Sequence, residues 1–113
     1  MPESPGRAAR GPARHELPAI DDLALAAARH ADRLLAAADQ LGMTRWATFL
    51  AAIPDRLRDD EPAALRSTAM RARAAYGPKD SVRDALPAEL TEPFLEAIDR
   101  LQRELAREAN RRR

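Results

Sequence analysis

The stretch DLALAAARHADRLLAAADQL, residues 22–41, decides the fold class of this chain. Leu23, Ala27, His30, Leu34, Ala37 and Leu41 recur at intervals of four and three, which places them on one stripe of an α-helix. Asp21 stands where an N-cap is expected, with a carboxylate able to accept from first-turn amides. Asp22 complements the positive end of the helix dipole. Gly42 follows the last apolar residue, the normal place for a glycine that ends a helix.

The same periodicity recurs downstream. From Arg45 to about Asp59, Trp46, Phe49, Leu50, Ile53 and Leu57 form the bulkiest apolar face of the chain, with Thr44 as the expected cap. Pro54 lies inside that stripe. It lacks an amide and its ring crowds the carbonyl of Leu50, and the apolar phase continues to Leu57, so a kink is expected there. A third helix is expected over residues 61–76, capped by Asp60, with Leu65, Ala69, Ala72 and Tyr76 inward and Gly77-Pro78 as its stop. Ser81 to Asp84 read as one short turn of helix before Pro87. Thr91 is the expected cap of a final helix from Glu92, which buries Phe94, Ile98, Leu101 and Leu105, joined by Leu95. On its other side Glu96 with Arg100 and Asp99 with Arg103 are spaced as (i, i+4) ion pairs.

The chain thus reads as all-α: a small bundle of four main helices, the second kinked at Pro54, plus one short turn of helix. Pro2, Pro5, Gly6, Gly11, Pro12 and Pro18 punctuate a start almost without large apolar side chains, so residues 1–19 are expected to be a disordered basic arm. The bundle domain spans 20–110, and 111–113 are a frayed basic tail. Alanine on the inward faces permits close helix approach but adds little buried area, so stabilisation by a partner is a fair expectation.

Nineteen Lys+Arg stand against eighteen Asp+Glu, unevenly placed. Residues 1–15 carry +2 and residues 100–113 carry +4, leaving −5 on 16–99. Basic ends around an acidic middle do not make the basic stripe of a nucleic-acid binder. Eighteen of the nineteen cations are Arg and alanine is the commonest residue, a usage that fits a bacterium with a GC-rich genome. The chain has no cysteine, which excludes disulfides and thiolate chemistry and accords with a reducing cytoplasm. The longest uncharged apolar run, residues 23–28, is far short of the ~20 residues of a membrane span. The N-terminal residues lack the apolar region of a signal peptide. A cytoplasmic protein is the expectation.

Chemistry-bearing patterns are sparse. Two histidines, His15 in the arm and His30 on the first helix, fall short of a usual structural zinc set. Asp32 is two residues from His30 and points elsewhere around the helix, so the two do not form an acid–base pair. Asp59-Asp60-Glu61 straddles a helix end and a helix start, where capping accounts for it. No phosphate-binding glycine loop or nucleophile elbow occurs. The alternative with most support is a helix-turn-helix: Ala38 to Thr44 has the small residue, the glycine four later and the apolar residue beyond that such turns favour. Arg45 and Thr48 would then face base edges or phosphate. Against this, Trp46 and Phe49 compete for that face as core residues, and the helix runs into Asp55 and the acidic Asp59–Glu61 cluster.

Between Gly42 and Asp84 the chain resembles a family of small helical bacterial domains of unknown function. The resemblance rests on Gly42, Trp46-Ala47, Leu50, Tyr76-Gly77, Ser81 and Asp84. Pro78 and Val82 depart from it, standing where a second glycine and an aromatic are usual. It covers well under half the chain and implies a helical domain with no known activity. Tyr76, Gly77, Ser81 and Asp84 are the residues it marks as interaction or loop-architecture positions. The expected function is a non-enzymatic protein-interaction module, an adapter or immunity-type inhibitor, with a helix-turn-helix regulator as the alternative. No cofactor or metal is expected. The expected partner is another protein, with nucleic acid disfavoured, no membrane partner, and a homodimer left open.

Overall fold

The computed structural model describes residues 11–112, and these are helical with no strand among them. A 3-10 turn over Arg14–Glu16 leads into α1 (Pro18–Gln40), followed by α2 (Thr44–Leu50), α3 (Ile53–Asp59), α4 (Pro62–Ala74), α5 (Val82–Ala85) and α6 (Ala88–Arg111). α1 is the hub: it packs against α6, α3 and α2, while α4 closes the assembly against α6 and α3, and α5 leans on α6.

The buried stripe of α1 is rotated from the expected one. Ile20, Ala24, Ala27, Ala28, Ala31, Leu34 and Ala38 are the buried residues, whereas Leu23, His30 and Ala37 lie half-buried and Leu41 is 56% exposed. The small face turns inward because alanine lets neighbouring backbones approach closely, and the larger side chains then fill the margins. The bulk of the core comes from the other helices. Leu50, Ile53, Leu57, Leu65, Phe94, Ile98 and Leu101 are essentially inaccessible, and Trp46 and Tyr76 retain 8% exposure each. Phe49 is only half-buried and meets the Trp46 ring edge-on at 5.7 Å.

Several boundaries differ from expectation for physical reasons. α1 begins at Pro18, four residues before Asp22. Proline at the first helical position gives up an amide that has no intrahelical partner, and no side-chain cap forms at Leu17. Within the expected arm, Arg14–Glu16 form the 3-10 turn and Pro18 and Ala19 begin α1, while residues 1–10 of it lie outside the described residues. α1 ends as expected at Gly42, whose φ of +69° permits two closing bonds. The Met43 amide donates to the Ala38 carbonyl at 2.8 Å and the Gly42 amide to that of Asp39 at 3.2 Å.

The expected kink at Pro54 is a division into two helices. Ala51 and Ala52 separate α2 from α3, and Pro54 falls at the second position of α3, where its missing amide is harmless. Position 60 ends α3, and Glu61, not Asp60, occupies the N-cap position of α4. α6 starts at Ala88 behind Pro87, so Thr91 is an internal, fully buried residue and Pro93 lies within the helix. Arg111, expected to fray, is the last helical residue. Asp99 pairs with Arg73 across to α4 at 3.2 Å, and neither expected (i, i+4) pair of α6 forms an ion pair among the described residues.

Candidate functional site

The four residues marked in the sequence lie around the α4–α5 corner, and the structure gives them unequal roles. Tyr76 is buried beneath the corner and its hydroxyl donates to the backbone carbonyl of Thr91 in α6. Pro93 leaves the carbonyl of Glu89 without its helical donor, so the phenol braces α6 where its own ladder is interrupted. Burial pushes the Tyr76 phenol well above its ordinary range; Glu92 adds to the shift, and Arg83 and Arg73 oppose it.

Ser81 caps α5: its hydroxyl accepts from the Arg83 amide at 3.1 Å, and its carbonyl accepts from the Asp84 amide at 2.9 Å. The Val82 amide donates back to the Ala75 carbonyl at 2.9 Å, fastening α5 to the end of α4. Asp84 itself is exposed, with no side-chain hydrogen bond among the described residues. It favours the positive end of this short helix and does nothing else visible. Gly77 does not supply the reversal expected of it: it is absent from the residues at positive φ, and a Cβ there would meet only the Ala74 carbonyl oxygen at an ordinary 3.5 Å. Asp80, at φ 52°, is the corner residue in the left-handed region, which aspartate tolerates better than most side chains.

Two residues missed in the sequence complete the cluster. The Arg83 guanidinium grips Glu92 with two bonds of 3.0 and 2.9 Å and lies over the Tyr76 ring with its carbon 5.5 Å from the centroid. The Thr91 hydroxyl donates to the same carboxylate at 3.0 Å. These contacts hold the Glu92 carboxyl below the usual range, chiefly through Arg83. Arg83 and Glu92 are nine residues apart across Pro87, so no helical periodicity announces the pair. Tyr76, Arg83 and Glu92 knot the α4–α5 corner to α6, while the Ser81 and Thr91 hydroxyls bond within their own helices.

A second knot ties down the start of the described chain. Arg14 is 7% exposed. Its Nε donates to Asp21 at 2.6 Å, one terminal nitrogen donates to the Asp60 carbonyl at 2.9 Å, and its backbone amide donates to Glu61 at 2.9 Å. The other terminal nitrogen is buried without a partner. The Asp60 carboxylate also accepts from the Thr68 hydroxyl at 2.7 Å, so the carboxylates of Asp21, Asp60 and Glu61 are absorbed in this joint. Nothing in the sequence signals it, because Arg14 sits in a segment of disorder-like composition.

His30 lies half-buried beside a small hollow lined by Leu23, Ala26, Pro93, Glu96, Ala97 and Arg100. Burial lowers its pKa, reinforced by Arg33 and Arg29 and opposed by Glu96. Among the described residues no three His, Asp or Glu side chains are placed to hold a metal ion, and no helix is long and apolar enough to cross a membrane. On the helix considered for DNA, Arg45 is stacked over the buried Trp46 ring at 5.1 Å, leaving Thr44 and Thr48 as its exposed neighbours.

The outward residues that stand apart are apolar. Met70 on α4 is 67% exposed and borders a hollow of about 220 Å³ with Arg66, Gln102 and Leu105. The chain matches no protein-family model, no curated protein and no solved structure, so the Gly42–Asp84 resemblance brings no family with it.

Proposed function

We propose that this protein is a non-enzymatic interaction module, an adapter or an immunity-type inhibitor, that works by presenting a rigid helical face to another protein. The observation that carries the reading is Met70. A flexible, polarisable side chain stands two-thirds exposed in the middle of a thirteen-residue helix whose other side is fixed in the core. Met is favoured at adaptable protein-binding surfaces because its thioether fits varied apolar partners. The knots at Tyr76 and Arg14 support the reading by making the α4 frame stiff, which lowers the entropy lost on docking.

Affinity capture with the tagged full chain in its native cells tests the proposal. The expected result is a protein that copurifies and, once purified, rebinds the chain stoichiometrically by calorimetry. Duplex DNA at low salt is measured alongside by fluorescence anisotropy. Tight DNA binding with no rebinding protein would replace this reading with the helix-turn-helix one.

A further inference from the structure

We infer that the outward face of α4, with the seam it makes against α6, docks an acidic helix bearing an apolar anchor, contributed by a partner protein. This rests on the interaction reading above and adds the surface and the partner's chemistry. Across Pro62–Ala74, α4 carries Arg66, Arg71 and Arg73 and no Asp or Glu, although residues 16–99 as a whole carry −5. Met70 sits among these cations at helical spacing, four residues from Arg66.

The three arginines differ in what they still lack. Arg73 is paired with Asp99 at 3.2 Å. Arg66 donates only to the Leu105 carbonyl at 3.2 Å, and Arg71 lies over the Phe49 ring at 5.3 Å. Neither has a carboxylate within ion-pair reach among the described residues. Arg66 and Arg71 therefore flank an exposed apolar side chain with positive charge that the fold leaves unneutralised.

The shape beside them is elongated. The hollow bounded by Arg66, Met70, Gln102 and Leu105 adjoins a second, of about 160 Å³, which shares Arg66 and Leu105 and reaches Pro62, Ala63 and Ala109. Glu108 also borders that second hollow, but Arg111 and Arg112 hold its carboxylate at 2.9 and 2.6 Å. α4 and α6 run antiparallel here, as the Arg66–Leu105 and Arg73–Asp99 contacts require, and the two hollows lie along the seam between them. A helix laid along it would place one apolar residue on Met70 and Leu105 and a carboxylate, a turn away, on Arg66, with Arg71 adding positive charge from the neighbouring side of α4. Charge of this sign also hastens encounter with an acidic partner.

Other occupants fit less well. A phosphate backbone would use the arginines and leave the apolar floor uncovered. A second copy docked about a two-fold axis through Met70 would bring each set of α4 arginines against its symmetry mate, a like-charge contact.

Selection from a displayed peptide library on the immobilised full chain tests the inference. Expected are helical peptides with carboxylates three or four residues from a Leu, Phe or Met. Their affinity should fall more than ~tenfold with Met70→Glu and with Arg66→Gln, by the usual size of an anchor effect, and weaken with salt. Both variants should keep the wild-type melting curve. Selected peptides without acidic bias, or with full affinity for Met70→Glu, overturn the inference and leave the broader interaction reading standing. So does sedimentation showing a wild-type dimer that Met70→Glu dissolves, which assigns the face to self-association. The broader reading falls separately, when the native cells yield no protein that rebinds the chain.

Discussion

Replacing Tyr76 by Phe separates an architectural corner from a binding site. The substitution keeps the ring under Arg83 and removes only the hydroxyl that donates to the Thr91 carbonyl. A typical intramolecular hydrogen bond contributes about 0.5–1.5 kcal/mol net, and a buried acceptor deprived of its donor adds part of its desolvation penalty. A loss of about 1–2 kcal/mol is expected. In a domain of this size each kcal/mol lowers Tm by about 4–8 °C, so Tyr76→Phe should melt roughly 4–16 °C below wild type by circular dichroism. Tyr76→Ala also opens a cavity and should cost about 3–5 kcal/mol, close to the whole stability of a marginal domain.

The same hydroxyl sets an alkaline limit. Because the folded-state phenol titrates above the unfolded one, the folded protein binds more protons at high pH. Its stability should therefore fall as pH rises beyond about 10, the unfolded tyrosine value, and the fall should be absent in Tyr76→Phe. Asp84→Ala is the control and should stay within about 0.5 kcal/mol of wild type, since the carboxylate is exposed and unpartnered. An unchanged melting curve for Tyr76→Phe together with lost partner binding would refute the structural assignment of this corner.

Three further outcomes follow from other parts of the structure. Arg14→Ala should destabilise by about 2 kcal/mol, read from urea midpoints, because it strips charged hydrogen bonds from Asp21 and the Asp60 carbonyl; faster amide exchange over residues 14–21 should accompany it. Gly42→Ala should cost about 1–2 kcal/mol purely through its left-handed φ, since a Cβ there meets nothing within 4 Å, whereas Gly77→Ala should be tolerated. His30 is held neutral by burial and two arginines, so its protonation opposes folding: stability should decline as pH drops below about 6.5, and His30→Gln should flatten that limb in denaturant midpoints at pH 7.5 and 5.5, about the range in which histidine titrates.

The all-helical class is legible from residues 22–41 alone, and the large apolar residues on the buried faces of α4 and α6 are legible too, though not the buried Thr68 and Thr91. Leu65, Ala69, Ala72, Tyr76, Phe94, Ile98, Leu101 and Leu105 are inward as their spacing predicts. α1 misleads because its alanines and its leucines define two overlapping stripes. Periodicity weighs residues by hydrophobicity, whereas the fold chose the stripe that lets helices approach. Pro54 and Pro93 show the same limit in a different form. Proline marks where a ladder must be interrupted, but only the surrounding packing decides between a division, as at Ala51–Ala52, and a braced continuation, as in α6. The Arg83–Glu92 clamp and the Arg14 joint have no local pattern: the Arg83 side chain reaches 9 positions along the chain, and the Arg14 side chain and backbone amide reach 46 and 47. Of the marked residues, Tyr76 and Ser81 have structural work that the sequence hinted at, Gly77 has less than expected, and Asp84 has none beyond its charge. Met70 has no distinct sequence signal, because a lone methionine off the apolar stripe looks like any surface residue; only the absence of carboxylates in residues 62–74 hints at the face.

A partner must meet one face of this bundle and not the others. Hydrogen–deuterium exchange of the full chain, alone and saturated with a protein that rebinds it, measures this most directly. Added protection confined to residues 62–74 and 102–109 is the predicted result. Protection centred on residues 76–84, or on the 44–50 helix, with the α4 face unchanged would contradict it.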